Sequence, residues 1–197
     1  SRPQPNVVPV IPEKIRREIV NENLRLSTYN RDLKTYEAAC GESLDLINLA
    51  LNQYTYINLY EGEYTAFGDG EGITDMHIRV ADNANVKLTV SNTNIKGSSE
   101  TPIIVGKNSH LTLVIKDNNT FYKEGVYVPE SSSLDLIGDG NLDIELNRNY
   151  GCGIGGSFKR KYGNITINKS GNSGMATAGM GDVLTLIEKA QEKQKRF

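Results

Sequence analysis

The sequence contains no tryptophan, and only 7% of its 197 residues are aromatic. It has no run of about 18 apolar residues, so we expect no membrane insertion. The formal net charge is −2, which gives no global electrostatic reason to bind nucleic acid or an acidic membrane. The hydrophobic content of 38% is enough for one sizeable core, and the length predicts a single domain with a small appendage at most.

Cysteine is equally scarce. Cys40 and Cys152 are the two cysteines, and neither belongs to a C-x-x-C pair that could hold a metal or carry out redox exchange. They are either two independent thiols or one disulfide formed in an oxidising compartment.

A P-loop of the form G-x-x-x-x-G-K-[S/T] is also absent. Gly151, Gly153 and Gly156 do satisfy the spacing G-x-G-x-x-G, which is typical of pyrophosphate loops. A dinucleotide loop must open a helix, whereas these glycines lead into a charged aromatic loop and then a strand in which Ile165 and Ile167 alternate with polar residues. We therefore interpret them as a tight backbone corner.

Glycine, asparagine and aspartate are abundant and favour many turns. The segments 78–94, 103–119 and 126–142 share one plan: a short apolar strand, a polar turn, an alternating strand and an Asn/Asp/Gly turn. Two sets of equivalent residues are separated by 25 and then 23 positions, namely Val80, Val105 and Val128, and Leu88, Leu113 and Leu136. Ile165 fits a fourth and longer copy, as the next equivalent of Leu136.

A repeat of this length made of short strands predicts a β-solenoid: an all-β fold with helical caps and about 4–5 coils, in which alternate residues share one interior. The alternative is a β-sandwich, whose strands also come at short regular intervals. A sandwich gives no reason for whole coils to repeat in register.

We divide the chain into a flexible proline-rich leader (1–12), an N-terminal helical cap (13–52), a β-helix (53–170), and a glycine-rich linker with a C-terminal helix (171–197). Within the cap, the apolar spacing predicts three helices: over about 13–26, from Leu33 to Gly41, and from Leu44 to Leu51. These helices would cover the first coil, whose open strand edges could otherwise pair with other chains.

Two motifs carry a family resemblance. YINLYEGEY (56–64), after LDLINLAL, resembles the first coil of right-handed parallel β-helix proteins of the pectin-lyase-like type. GCGIGGSFKRKYGNITI (151–167) resembles a coil of repetitive β-helical surface proteins of Firmicutes. Together the resemblance covers about 44–170. It implies a secreted or surface-attached bacterial protein that handles polysaccharide or mediates adhesion.

A second resemblance concerns GMGDVLTLIEKAQ (179–191), which is similar to the segment of the signal recognition particle GTPase between its GTPase and methionine-rich domains. Because the chain has no P-loop and only three methionines, we interpret this segment as a borrowed or fused helical tail. A fragment that keeps a role in signal recognition particle targeting and simple convergence are the alternatives.

Catalytic chemistry is weakly indicated. A pectin-lyase-like enzyme would need carboxylates for calcium or acid–base work and a basic proton acceptor, and the available acids are Asp117, Asp135, Asp139 and Asp143. Acids at coil corners can instead accept hydrogen bonds from their own backbone. We favour this structural interpretation of the four acids. We predict no catalytic residue and no cofactor, with calcium left open.

The histidines and serines give no stronger signal. His77 and His110 are too far apart in sequence to form a local metal pair, and we interpret both as surface histidines beside strands. Ser131–Ser133 is interpreted as a turn with no histidine partner.

The predicted ligand-binding residues lie on one loop and combine aromatic rings with positive charges: Tyr150, Phe158, Lys159, Arg160, Lys161 and Tyr162. Rings stack on sugar faces, and the cations would suit uronic acids or sulfated glycans. Tyr122 and Tyr127 would widen this surface if they point outward. The alternative is a solvated loop without a ligand, and nucleic acid is not expected.

The sequence thus predicts a non-catalytic extracellular module that binds a polysaccharide or other glycan, acidic ones included, or a partner surface. A polysaccharide lyase or glycoside hydrolase of the pectin-lyase-like class is the alternative. Incubation with polygalacturonate separates the two, because a lyase forms unsaturated products.

Overall fold

The computed structural model describes residues 8–10, 12, 34–97, 101–146, 153–156 and 161–167. These residues form a parallel β-solenoid of about five turns, which confirms the predicted fold class. The elements in chain order are β1 (Lys34–Glu37), β2 (Ser43–Asp45), α1 (Leu46–Leu51), β3 (Tyr54–Leu59), β4 (Gly62–Phe67), β5 (Ile73–Thr74), β6 (His77–Val80), β7 (Asn85–Ser91), β8 (Asn94–Lys96), β9 (Ile103–Ile104), β10 (His110–Lys116), β11 (Asn118–Lys123), β12 (Val126–Tyr127), β13 (Ser133–Gly138), β14 (Asn141–Leu146), β15 (Ile154–Gly155) and β16 (Asn164–Ile167).

The strands build three sheets that run along the solenoid. Sheet A has the order β1-β3-β6-β9-β12-β15, sheet B has the order β2-β4-β7-β10-β13-β16, and sheet C has the order β5-β8-β11-β14. The strand pairs within these sheets are parallel. Each coil therefore lies about 4.8 Å from the next, which is the ordinary spacing of hydrogen-bonded strands.

The interior is a set of stacked aliphatic side chains. Leu88 pairs with Leu113, and Leu113 pairs with Leu136, as the repeat predicts, and all three are fully buried. In the fourth copy the predicted register is wrong by two residues. Ile165 pairs with Leu134, and it is Ile167 that pairs with Leu136, because both isoleucines face inward and the alternation alone does not distinguish them.

The coil corners use residues that tolerate a left-handed backbone. Asn83 and Asn108 have φ values of 56° and 53° at one corner, and Asn92 and Asp117 have 53° and 54° at another. The amide of Asn108 donates to Oδ1 of Asn83 at 3.3 Å. Equivalent corner residues of successive coils thus take the same conformation and lie against one another.

A polar side chain, Asn119, is buried within the solenoid and joins neighbouring coils. Its Oδ1 accepts from the backbone N–H of Thr93 at 3.1 Å and from the Thr93 hydroxyl at 2.8 Å. Its Nδ2 donates to the carbonyl of Lys116 at 2.7 Å and to that of Asn141 at 3.3 Å. Both Thr93 and Asn119 are almost fully buried, so these bonds replace ones that water would otherwise make.

The N-terminal region differs from the prediction. The helix expected from Leu33 to Gly41 is wrong for the described residues, because Lys34–Glu37 form β1 and pair with β3. Tyr36 faces inward opposite Ile57, and this long-range pairing outweighs the local helical spacing. Strands β1 and β2 thus lie inside the segment 13–52 that was predicted as a helical cap.

The third predicted helix is present as α1, although it begins at Leu46. Asp45 caps it, since Oδ1 accepts from the backbone N–H of Asn48 at 3.1 Å. Most of the predicted leader, the helix over 13–26 and the whole 171–197 segment, with its resemblance at 179–191, lie outside the described residues.

Candidate functional site on the outward face of sheet B

The predicted binding loop is described only at its C-terminal end. Lys161 and Tyr162 lie within the described residues, whereas Tyr150, Phe158, Lys159 and Arg160 lie outside them. The structure therefore leaves the complete aromatic and basic loop as a prediction.

Lys161 and Tyr162 lie at the corner where sheet A meets sheet B. Tyr162 forms an antiparallel bridge with Pro129, and the Gly163 N–H donates to the Val128 carbonyl at 3.2 Å. Nζ of Lys161 is 3.6 Å from Oε1 of Glu130, with both side chains largely exposed. This end of the loop is fixed directly before β16, and hence at the margin of sheet B.

Next to this corner, sheet B presents a continuous outward surface, which we call the sheet B face. Alternation along each strand places its members outside the core, where they are exposed or half-buried. The sheet B face consists of Glu63, Thr65 and Phe67 from β4, Asn85, Lys87, Thr89 and Ser91 from β7, His110, Thr112, Val114 and Lys116 from β10, Ser133, Asp135 and Ile137 from β13, and Asn164 and Thr166 from β16.

The strand register arranges these side chains in rows across the coils. The first row is Asn85, His110, Ser133 and Asn164, and the second is Glu63, Lys87, Thr112, Asp135 and Thr166. Neighbours in a row belong to adjacent strands and are close enough for their side chains to interact. Hydroxyl, amide, imidazole, carboxylate and ammonium groups thus stand side by side along the solenoid.

His110 is the centre of a hydrogen-bonded group on this face. Its Nδ1 lies 2.6 Å from Oγ of Ser133, and its Nε2 lies 3.2 Å from Oδ2 of Asp135. Thr112 Oγ1 is 3.3 Å from the same Nε2. Because a carboxylate only accepts, Nε2 carries the hydrogen in the neutral ring, and Nδ1 accepts from the Ser133 hydroxyl.

This cluster corrects the prediction that Ser131–Ser133 has no histidine partner. His110 and Ser133 are 23 residues apart, which is the separation that the repeat gives between Leu113 and Leu136. That repeat was the signal that could have placed the histidine beside the serine. Motif reasoning missed it because the two residues are distant in sequence and meet only through the coil register.

His77 is also not the surface histidine that was predicted. It is fully buried, and its Nδ1 donates to the Thr101 carbonyl at 3.1 Å. Its ring stacks on Tyr56 with centroids 5.1 Å apart, and the guanidinium of Arg79 lies 3.7 Å from the centroid of the same tyrosine. The hydrogen bond and the ring contacts tie this histidine into the packing of sheet A.

The four candidate acids have different surroundings. Asp117 lies at a corner and accepts from the Ser91 hydroxyl of the neighbouring coil at 2.5 Å, whereas Asp135 contacts His110. Asp139 lies in the bend between β13 and β14, and Asp143 is exposed on β14 in sheet C. No group of three or more His, Cys, Asp or Glu residues in the described part of the chain is placed to hold a metal ion.

Tyr122 and Tyr127, which the sequence suggested as additions to the binding surface, belong to other sheets. Tyr122 lies on sheet C, in register with Lys96 and Glu145, and burial, followed by the charge of Glu145, raises the pKa of its phenol. Tyr127 belongs to β12 in sheet A. Neither residue therefore extends the sheet B face.

Cys40 is exposed and is the one cysteine among the described residues, and Cys152 lies outside them; whether the two thiols pair stays as the sequence leaves it. Among the described residues, no helix has the length and apolar character needed to cross a bilayer.

Comparisons with protein-family models, with curated proteins and with solved structures give no match to this chain. By its fold the protein belongs to the class of parallel β-solenoids. The resemblances to pectin-lyase-like proteins, to surface proteins of Firmicutes and to the signal recognition particle GTPase remain predictions from short motifs.

Proposed function

We propose that this protein is a secreted or cell-surface module that binds a polysaccharide along the sheet B face. One observation carries the proposal: a single outward surface presents hydroxyl and amide side chains on successive strands. Thr89, Thr112 and Thr166 supply hydroxyls on three of these strands, and Asn85 and Asn164 supply amides. Hydroxyl and amide groups both donate and accept hydrogen bonds, which matches the hydroxyl groups of sugars.

Apolar side chains among these polar rows support the same ligand class. Val114 pairs with Ile137, and both are half-buried. Phe67 on β4 is 36% exposed and lies in a different row, opposite Ser91. The C–H surfaces of sugar rings pack against apolar and aromatic side chains, so a face that combines apolar positions with hydrogen-bonding rows suits a carbohydrate chain lying across the strands.

The charges on and beside the face favour a polysaccharide over nucleic acid. Lys87 lies 3.8 Å from Glu63, and Lys161 lies 3.6 Å from Glu130. In each pair the positive charge of the lysine is balanced by the negative charge of the glutamate, whereas nucleic-acid binding requires an excess of positive charge to neutralise phosphates. Neutral and weakly acidic polysaccharides are therefore the ligand class that we propose.

Affinity electrophoresis through gels that contain neutral or acidic polysaccharides tests this proposal. The double variant Lys161→Ala/Tyr162→Ala truncates the two described side chains of the loop at the margin of the face. We expect the dissociation constant derived from the retardation to rise at least about tenfold, which corresponds to about 1.4 kcal/mol of binding free energy. The matched control, Lys96→Ala/Tyr122→Ala, removes the same residue types from sheet C and should migrate like the parent protein. Failure of every polysaccharide to retard the parent protein would contradict the proposal.

A further inference from the structure

We propose that the sheet B face also hydrolyses O-acyl esters, with Ser133 as the nucleophile, His110 as the general base and Asp135 as the residue that positions the imidazole. The substrate class is a short acyl ester, of acetyl size, carried by a polysaccharide. The inference rests on the proposed function only in that the bound polymer would carry the ester. The chemical competence of the three side chains can be tested without a polysaccharide.

The three side chains are connected in the order that nucleophilic catalysis requires. The Ser133 hydroxyl donates to Nδ1 of His110 at 2.6 Å, and the opposite nitrogen is 3.2 Å from the Asp135 carboxylate. A base within hydrogen-bond reach of the nucleophile, held in turn by a third group, is the arrangement that activates serine. Here Nδ1 faces the serine, in contrast to serine proteases, where Nε2 does so, and either imidazole nitrogen can accept a proton.

The tetrahedral intermediate that forms on attack at the ester carbonyl also needs a hydrogen-bond donor for its oxyanion, and the sheet restricts where that donor comes from. The backbone N–H of Ser133 donates to the Ser109 carbonyl at 3.0 Å, and that of Asn164 donates to the Ser132 carbonyl at 3.2 Å. These two backbone amides are therefore occupied by hydrogen bonds between coils and are not the oxyanion donors. Asn164 is exposed and pairs with Ser133 in the neighbouring strand, so its side-chain amide is the donor that we assign to the oxyanion.

The reaction proceeds in two balanced steps. Oγ of Ser133 attacks the ester carbonyl carbon while Nδ1 of His110 takes the hydroxyl proton. The carbon–oxygen bond to the sugar then breaks, and the leaving alkoxide receives that proton from His110. In the second step, a water molecule attacks the acyl-serine and gives a proton to His110, which returns it to Ser133 as the carboxylic acid is released.

The exposure of the group fits this substrate class. The side chain of His110 is 33% exposed and that of Asp135 is 45% exposed, so water and a polymer lying on the face can both reach the serine. An acyl group that projects from a sugar ring would approach Ser133 along the row that it shares with Asn85 and Asn164. The same row belongs to the surface proposed to bind the polysaccharide.

The first experiment measures hydrolysis by the full chain, using 4-nitrophenyl acetate and acetylated xylan as substrates. Ser133→Ala and His110→Ala should each lower kcat/KM by about 100- to 10,000-fold. Ser43→Ala removes an exposed serine from β2 of the same sheet and should leave the rate unchanged. Absence of hydrolysis above the buffer rate, or equal rates for the parent and Ser133→Ala, would overturn the proposal.

Asp135 requires a separate readout because it contacts the histidine and not the ester. Asp135→Asn should lower kcat for 4-nitrophenyl acetate by at least about tenfold while KM stays unchanged, since the imidazole loses the group that fixes its orientation. An unchanged kcat in this variant would contradict its positioning role.

Labelling with a small fluorophosphonate, followed by mass spectrometry of the peptides, tests the parent protein directly. We expect phosphonylation at Ser133, and loss of that label in His110→Ala. Labelling at Ser133 without retardation by any polysaccharide would support this site and contradict the proposed function. Polysaccharide binding without labelling at Ser133 would leave the proposed function standing and overturn the hydrolytic site.

Discussion

The buried amide of Asn119 provides a quantitative test of how the coils are held together. Asn119→Ala removes the side-chain oxygen that accepts from the Thr93 N–H and hydroxyl groups, at 3.1 and 2.8 Å, and Thr93 is fully buried. A buried donor left without a partner costs roughly 1–3 kcal/mol, and loss of the second bond adds about 1 kcal/mol. We therefore expect the free energy of unfolding to fall by about 2–4 kcal/mol.

Equilibrium urea unfolding followed by circular dichroism measures this change through the transition midpoint. The matched control is Asn118→Ala, because Asn118 is exposed and its Oδ1 accepts from Asn141 at 2.8 Å on the surface. We expect the control to change stability by no more than about 0.5 kcal/mol. If Asn119→Ala were no more destabilising than Asn118→Ala, the interior amide would not hold the coils together.

Two further predictions concern a corner and an alkaline transition. Gly138 has φ 119°, and a Cβ there would overlap the carbonyl of Ile115, so Gly138→Ala should destabilise by about 2–4 kcal/mol in urea unfolding. Gly41→Ala, with φ 86° and open space, should cost only about 1 kcal/mol; equal costs would contradict the overlap. Burial, then the hydrogen bond to Glu42, raises the pKa of Tyr36, so its contribution to stability is complete below the pKa of unfolded tyrosine, about 10, and is lost as pH rises towards the raised value. Between about pH 9 and pH 11, the melting temperature of Tyr36→Phe should therefore fall less than that of the parent protein. An equal fall in both proteins would contradict the assignment of this loss of stability to Tyr36.

The repeat in the sequence predicts most of the core because the interior of a solenoid has the period of its coils. Equivalent leucines such as Leu88 and Leu113 pair as their spacing indicates. At β1 it is the local apolar spacing that misleads, because it resembles a helix although Tyr36 lies opposite Ile57 and a strand of four residues gains its stability from pairing. Extending the repeat towards the N-terminus would have identified this strand.

The hydrogen-bonded group around His110 could be predicted in part. Its partner Ser133 follows from the 23-residue separation once the coil register is accepted. The contact with Asp135 depends on side-chain rotamers across two strands, which the repeat does not encode. The predicted binding loop of Tyr150 and Phe158 to Tyr162 stays a prediction. The structure gives the position of Lys161 and Tyr162, which lie beside the same face.

The central proposal is that the sheet B face is the ligand surface of this protein. The most direct measurement is a titration of the ¹⁵N-labelled protein with the polysaccharide that retards it in gels, followed by two-dimensional NMR of the assigned amides. We expect shift changes concentrated in β10, β13 and β16 and at Lys161 and Tyr162. Changes centred on β8, β11 and β14 of sheet C, with sheet B unaffected, would contradict this proposal.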